Sequence, residues 1–289
     1  MKICAITMVY KDYWALDQWY HHYAHELGAE NLIVVAHGAD PNIAGICPSA
    51  SILTIPRDDL SHFDRARAAL LNGIQTGLLN VYDWVIRTDA DELICAEKGL
   101  HNAIANYASY PVLTPLGFDL VEQPNDAPIG DGSVFKYRRH IAFAGHYSKA
   151  AIVRVPANLS LHGVQVPARR LHSFPYFMPP DIFLAHIKFA NKAALVESTR
   201  TRIAVASGSA RGLPGPGWKN ADDDAVEFFE AFAKKKRTKW PKASAKAHST
   251  LSTKPIRDEK QNLVKARALK FEFRTKLPEW FTDQTRTRT

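Results

Sequence analysis

The chain has 289 residues, 46% of them hydrophobic and 23% charged, which is enough apolar material for one substantial core and too balanced for a disordered protein. No apolar run reaches the roughly 18–20 residues that span a bilayer. Met1–Val9 gives way to Tyr10-Lys11-Asp12 too soon for a secretory leader, so a cytoplasmic location is expected. Cys4, Cys47 and Cys95 have no metal-ligand spacing and argue against a disulfide framework.

The first half alternates strand and helix signals. Lys2–Val9 is an apolar run suited to a buried parallel strand. Leu16, Trp19, Tyr20, Tyr23 and Leu27 then share one helical face, and Gly28 supplies a stop. Leu32–Ala36 and Ser51–Ile55 read as the second and third strands. Phe63, Ala66, Leu70, Ile74 and Leu78 mark another helix, and Trp84–Thr88 is a fourth strand running into acids. This alternation predicts an α/β fold with a mostly parallel central sheet flanked by helices.

The middle is less regular. Short strand-like pieces fall at Pro111–Leu116, Val134–Tyr137 and Ala151–Val155, and Leu184–Ser198 reads as a helix. The expected organisation is a catalytic domain over 1–205, a Gly/Pro/Ser-rich linker over 206–220, and a helical, basic C-terminal extension over 221–289. Ala221–Phe232 is helical, with Asp222, Asp223 and Asp224 at its N-terminus. Thr238–Lys260 is polar, basic and expected to be loosely held. Much of the net charge of +8 lies in Lys234–Lys239 and beyond. The simplest reading is a solvated helix end with a basic tail. Peripheral membrane contact through that tail stays open, and nucleic acid is not an expected partner.

Ligands of parallel sheets gather at the carboxyl ends of the strands. Three such ends are polar here: Tyr10-Lys11-Asp12, His37-Gly38-Ala39-Asp40 and Asp89-Ala90-Asp91-Glu92. Two carboxylates two positions apart on an extended backbone point the same way. They suit Mg²⁺ or Mn²⁺, which complete their shells with substrate phosphates. An Asp-x-Asp pair is a weak signal alone, and solvated turn acids are its bland alternative. Haloacid-dehalogenase-type phosphatases carry such a pair after their first strand, followed by a small hydroxyl-bearing turn, whereas Glu92-Leu93 follows here.

Met8-Val-Tyr-Lys-Asp-Tyr-Trp14, Trp19, Leu27-Gly28 and Tyr82-Asp-Trp-Val-Ile-Arg-Thr-Asp-Ala-Asp-Glu-Leu93 resemble family 2 glycosyltransferases of the GT-A fold. The resemblance covers about the first 95 residues and continues more loosely through Ser148-Lys149, His162-Gly163 and His186-Ile-Lys188. It implies transfer of a sugar from a nucleotide-sugar donor to a glycan or lipid-linked acceptor, with inversion, in surface polysaccharide synthesis. It further implies a cytoplasmic enzyme, with membrane association left open, that uses Mn²⁺ or Mg²⁺. Carried over by position, Asp89 and Asp91 bind the metal–diphosphate, Glu92 orients them or the donor, His186 is a late metal or diphosphate ligand, and Lys149 and Lys188 meet phosphate. Tyr10-Lys11-Asp12 departs from the Asn-Glu common at this place. The nucleotide contacts are therefore expected from Tyr10, Asp12, His37 and Asp40, with Arg65 entering from the next helix.

An inverting transferase needs a carboxylate base, and Asp119 and Glu122, after Pro115-Leu-Gly-Phe118, are the two candidates. His21 and His25 lie one helical turn apart but lack the Glu of a metalloprotease signature; His146, His162 and His172 fall in loops. Trp14, Trp19 and Trp84 belong to core patterns. Phe174, Tyr176 and Phe177, in a proline-stiffened loop, suit either sugar stacking or core packing. Two rivals remain. A nucleotidyltransferase would want a glycine-rich basic loop after the first strand, and Met8–Tyr13 has no glycine. A non-catalytic nucleic-acid or membrane binder would act through the basic tail alone.

Overall fold

The computed structural model describes residues 1–57, 60–213 and 216–283. The first strand–helix alternation runs β1 (Ile3–Val9), α1 (Tyr13–Leu27), β2 (Leu32–His37), α2 (Pro41–Ile46), β3 (Ser51–Ile55), α3 (Phe63–Leu78) and β4 (Trp84–Arg87). The strands lie side by side in the order β3-β2-β1-β4, all parallel. β1 is buried along its whole length, and its period-2 alternation feeds two cores. Ile3, Ala5 and Val9 pack in a cluster with Trp19 and Tyr23 of α1, whereas Cys4, Ile6 and Met8 pack in one with Leu71 of α3. The three cysteines are free and buried.

The chain continues through β5 (Glu92–Ala96), α4 (Leu100–Ala105), β6 (Val112–Leu113), β7 (Leu116–Leu120), β8 (His140–Phe143), β9 (Ile152–Val153), β10 (Asn158–Ser160), β11 (Gly163–Gln165) and β12 (Ile182–His186). β9 and β6 extend the first sheet antiparallel beyond β4. The pattern over Leu184–Ser198 misleads, because the helix there, α5 (Lys192–Ala206), starts only after a strand and a short loop. Ile182-Phe-Leu-Ala is buried on both faces as β12, between β7 and β5; such a run has no helical period to reveal it or exclude it. α5 begins where Asn191 caps it, accepting from the Ala193 and Ala194 N–H groups. Val134–Lys136 is a single 3₁₀ turn rather than a strand.

After α6 (Pro216–Lys219) and α7 (Ala221–Lys234), the chain forms β13 (Lys236–Arg237), α8 (Trp240–Leu251), β14 (Ile256–Asp258), β15 (Leu263–Lys265), β16 (Phe273–Lys276) and α9 (Trp280–Asp283). The segment expected to be loose is anchored, since α8 buries Ala243, Ala247 and Leu251. Besides helices, this region gives β13 and β16 to a sheet ordered β13-β16-β8-β7-β12-β5, and β14 and β15 to another ordered β10-β11-β15-β14. The protein is thus α/β, with four parallel strands on one side of its first sheet and β3 at that sheet's edge. No described helix is long and apolar enough to cross a membrane.

Candidate active site

β4 ends at Arg87, and the acids follow in the tight turn that leads into β5. Helix α1 fixes that turn from behind. Trp19 Nε1 donates to Thr88 Oγ1 at 2.9 Å, and the Ile94 N–H donates to the Tyr23 hydroxyl at 2.9 Å. The turn also closes on itself: the Asp89 N–H donates to Glu92 Oε2 at 3.0 Å, and the Glu92 N–H to the Asp89 carbonyl at 3.1 Å.

Each acid then meets a cation. Asp89 pairs with Arg67 of α3 and, at 2.8 Å, with Lys149 Nζ, which also lies 2.8 Å from Glu92. Burial would raise the Asp89 carboxyl, but Arg67 and Lys149 outweigh it and hold it well below the usual range. Glu92, whose side chain is 1% exposed, goes the other way, and burial pushes it up to about 7 in spite of Lys149. Asp91 faces Arg202 of α5 at 3.1 Å and His186 Nε2 at 3.5 Å. Burial alone would raise it, yet these two partners hold it down.

His186 ends β12 and is buried. Its Nδ1 lies 2.7 Å from Oδ1 of Asp119, the residue beside it on β7, and the Tyr147 ring stacks on it at 3.6 Å. Gly117 permits that stack, because a Cβ there would sit 2.2 Å from the Tyr147 carbonyl carbon. Burial disfavours the imidazolium, but hydrogen bonds to Asp119 and Asp91 prevail and raise His186 above its ordinary value.

Two side chains here carry donor atoms of the kind a divalent cation takes. Nε2 of His186 and Oδ2 of Asp91 face each other while a carboxylate fixes Nδ1, the arrangement that orients metal-ligating imidazoles. Among the described residues no three His, Cys, Asp or Glu side chains are grouped to hold a cation by themselves. Oxygens from a substrate would have to complete the shell, as is usual for Mg²⁺.

The acids floor a crevice of about 910 Å³. At one end it is lined by Tyr10, Lys11, Asp12 and His37 from the ends of β1 and β2, with Arg57 from beyond β3. Arg57 lies over the Tyr10 ring at 3.4 Å and within 3.0 Å of His37 Nδ1. Burial, reinforced by the Asp91 charge, pushes Asp12 up to about 6. At the other end the lining is Lys188, Phe189, Phe228 and Phe271, with Asp224 and Glu227 from α7, whereas Trp218 sits beside Phe63, which stacks on His37. Burial pulls Lys188 down to about 8.

Of the residues singled out from sequence, Tyr10, Asp12, His37, Asp89, Asp91, Glu92, Asp119, His186 and Lys188 line this crevice, and Lys149 meets its acids. Three stand elsewhere. Asp40 caps α2, accepting the Asn42 N–H at 3.0 Å and the Tyr13 hydroxyl at 2.8 Å. Glu122 accepts the Lys192 N–H at 2.9 Å and pairs with Arg138 at 3.4 Å. Arg65 is exposed, and the arginine that reaches the acids is Arg67, two positions on. Sequence reasoning missed Arg57, Arg67, Tyr147, Arg202 and Glu227. Of these only Arg67 left a signal, being in phase with the buried Leu71 and Gln75 at four-residue intervals.

No protein-family model matches the sequence, and neither does any curated protein. Among solved structures the chain is similar to a mannose-1-phosphate geranyltransferase from Thermus thermophilus, at 12% identity over 96% of this chain and 74% of that one, with a TM-score of 0.29. It is also similar to a 4-diphosphocytidyl-2C-methyl-D-erythritol synthase from Anaerococcus prevotii, at 11% identity over 79% and 82% of the two chains, with a TM-score of 0.30. Neither likeness bears on the chemistry of the crevice.

Proposed function

We propose that this protein is a divalent-cation-dependent glycosyltransferase of the GT-A, family 2-like kind. It would move a sugar from a nucleotide-sugar donor to a glycan or lipid-linked acceptor. The observation that carries this reading is the Asp91–His186–Asp119 array set beside Arg67, Lys149 and Arg202 at the ends of parallel strands. Asp91 and His186 would hold Mn²⁺ or Mg²⁺, which supplies charge neutralisation for a departing diphosphate. With the cation bound, Asp119 would keep the imidazole in the tautomer that turns an unprotonated Nε2 toward it. Asp89 and Glu92 aim Lys149, and Asp89 aims Arg67, so that fixed cations meet the phosphates without reorganisation. The Tyr10–Arg57–His37 end suits the nucleoside. The acceptor would enter at the Phe189–Phe228 end, where Asp224 and Glu227 are the acids within reach of its hydroxyl. Asp119 and Glu122 are the other two candidates for the base, and each already holds a partner, His186 for Asp119 and Arg138 for Glu122.

Nucleotidyl transfer is the second reading, favoured by the number of cations around the crevice, which would also suit a triphosphate and a sugar phosphate. Against it, the turn after β1 is Tyr10-Lys11-Asp12, without the glycines that let a backbone wrap phosphates. The products separate the two. A panel of nucleotide sugars with Mn²⁺ should release nucleoside diphosphate, and Asp89→Ala should stop release while still folding, with a lowered melting temperature because Arg67 and Lys149 lose their partner. Release of pyrophosphate from a triphosphate plus a sugar phosphate, or full turnover by Asp89→Ala, would sink the glycosyltransferase reading.

A further inference from the structure

Between residues 234 and 246 the chain carries seven lysine or arginine side chains and no aspartate or glutamate. The fold sets them along an outer strand and the helix that follows it instead of leaving them in a tail. β13 is the outer strand of its sheet, with Lys236 opposite Phe273 and Arg237 opposite Arg274. One strand further in, Lys276 stands opposite His140. Lys239, Lys242 and Lys246 share one side of α8 at helical spacing, and Lys246 Nζ lies 6.0 Å over the Phe273 ring, which draws the helix stripe onto the strand edge. The field is felt inside the sheet: after burial, Lys276 and then Arg274 and Arg237 hold His140 below its ordinary value, with only Asp126 opposing. Like charges placed opposite one another weaken a sheet, so such a face is costly unless an anionic partner meets it.

We propose that the β13–β16 edge and the lysine side of α8 form a docking face for an anionic phospholipid membrane. Six of the seven cations in the 234–246 run are lysines. Compact charges on flexible stems suit a diffuse field of headgroups, whereas paired recognition of individual phosphates favours the arginine fork. The face is also well placed. Lys235 and Phe271, which flank it, line the crevice at its acceptor end. Docking would therefore set that mouth at the lipid surface. Only this last consequence rests on the glycosyltransferase reading; the docking itself does not.

The test is flotation of the full chain with vesicles of phosphatidylcholine alone or doped with phosphatidylglycerol, at low and high salt. Binding is expected to doped vesicles at low salt and to be lost at high salt. Replacing Lys236, Lys239 and Lys242 by Gln together should weaken it by about fivefold per cation, roughly a hundredfold in all. A control with the same charge loss elsewhere, at the exposed Lys98, Arg169 and Lys260, should bind like wild type. Neither variant should melt below the wild type, and both should keep its shift by nucleotide, which separates docking from donor binding. Equal binding by the first variant, equal loss by the control, or a wild-type preference for double-stranded oligonucleotide over doped vesicles would overturn the proposal.

Discussion

Replacing Asp119 by Asn tests how the buried histidine is used. Asp119 is 6% exposed and His186 2%, and the 2.7 Å contact between them is the bond that fixes the imidazole on its Nδ1 side. The amide keeps the shape but removes the charge, so the ring becomes a weaker base and less firmly oriented. Partners of this kind typically contribute 10- to 100-fold in metal affinity, or about 1.4–2.7 kcal/mol. The assay is donor turnover across a Mn²⁺ titration. The expected result is a Mn²⁺ requirement raised by about 10- to 100-fold, with kcat largely restored at saturating metal. A general base behaves differently, because its loss costs about 10²–10⁴ in rate at every metal concentration. Wild-type metal dependence with a collapsed kcat would refute the orienting role and return Asp119 to the base.

Three further outcomes follow from particular contacts. Arg67→Ala should weaken nucleoside diphosphate binding by roughly ten- to a hundredfold, the worth of a charged hydrogen bond of about 1.5–3 kcal/mol, while Arg65→Ala should leave it unchanged by calorimetry. Gly117→Ala should cost about 3 kcal/mol in urea unfolding, the upper end for forced overpacking, because the new Cβ meets the Tyr147 backbone at 2.2 Å; wild-type stability would show that the stack on His186 is not tightly held. Asp12 has its native carboxyl raised to about 6 from 3.8, so its contribution is intact below pH 3.8 and is lost as pH rises through 6. Asp12→Asn should therefore gain stability over wild type across that window, by about 1–3 kcal/mol, and a difference that stays flat with pH would contradict the burial of Asp12.

The sheet and its acids were legible because their signals are local. β1, β2 and β4 are continuous apolar runs, and the Asp-x-Asp pair follows directly on the last of them. Partners brought from afar were harder. Arg202 reaches Asp91 across 111 positions and Asp119 reaches His186 across 67, separations that no periodicity records. Arg65 stands out over Arg67 when the α3 stripe is drawn through the apolar Phe63, Ala66 and Leu70. The inner face carries Leu70, Ile74 and Leu78 of that stripe and also Arg67, Leu71 and Gln75, two of these last three polar. Asp40 and Glu122 illustrate the converse, acids near strand ends that serve helix N-termini and not the crevice. The C-terminal strands escaped because each has only two to four residues, too few for alternation to show.

The central claim is that Asp91 and His186 hold a divalent cation which in turn holds a nucleoside diphosphate. Its most direct test is a thermal-shift panel of nucleoside diphosphates with and without Mn²⁺, on wild type and on Asp91→Asn. Binding to the native state at about a hundredfold over Kd adds roughly 2.7 kcal/mol, a shift of several degrees for a domain of this size. At least one nucleotide should stabilise the wild type strongly only when Mn²⁺ is present, and Asp91→Asn should lose that dependence. Equal stabilisation with and without metal, or an unchanged Mn²⁺ response in Asp91→Asn, would contradict it.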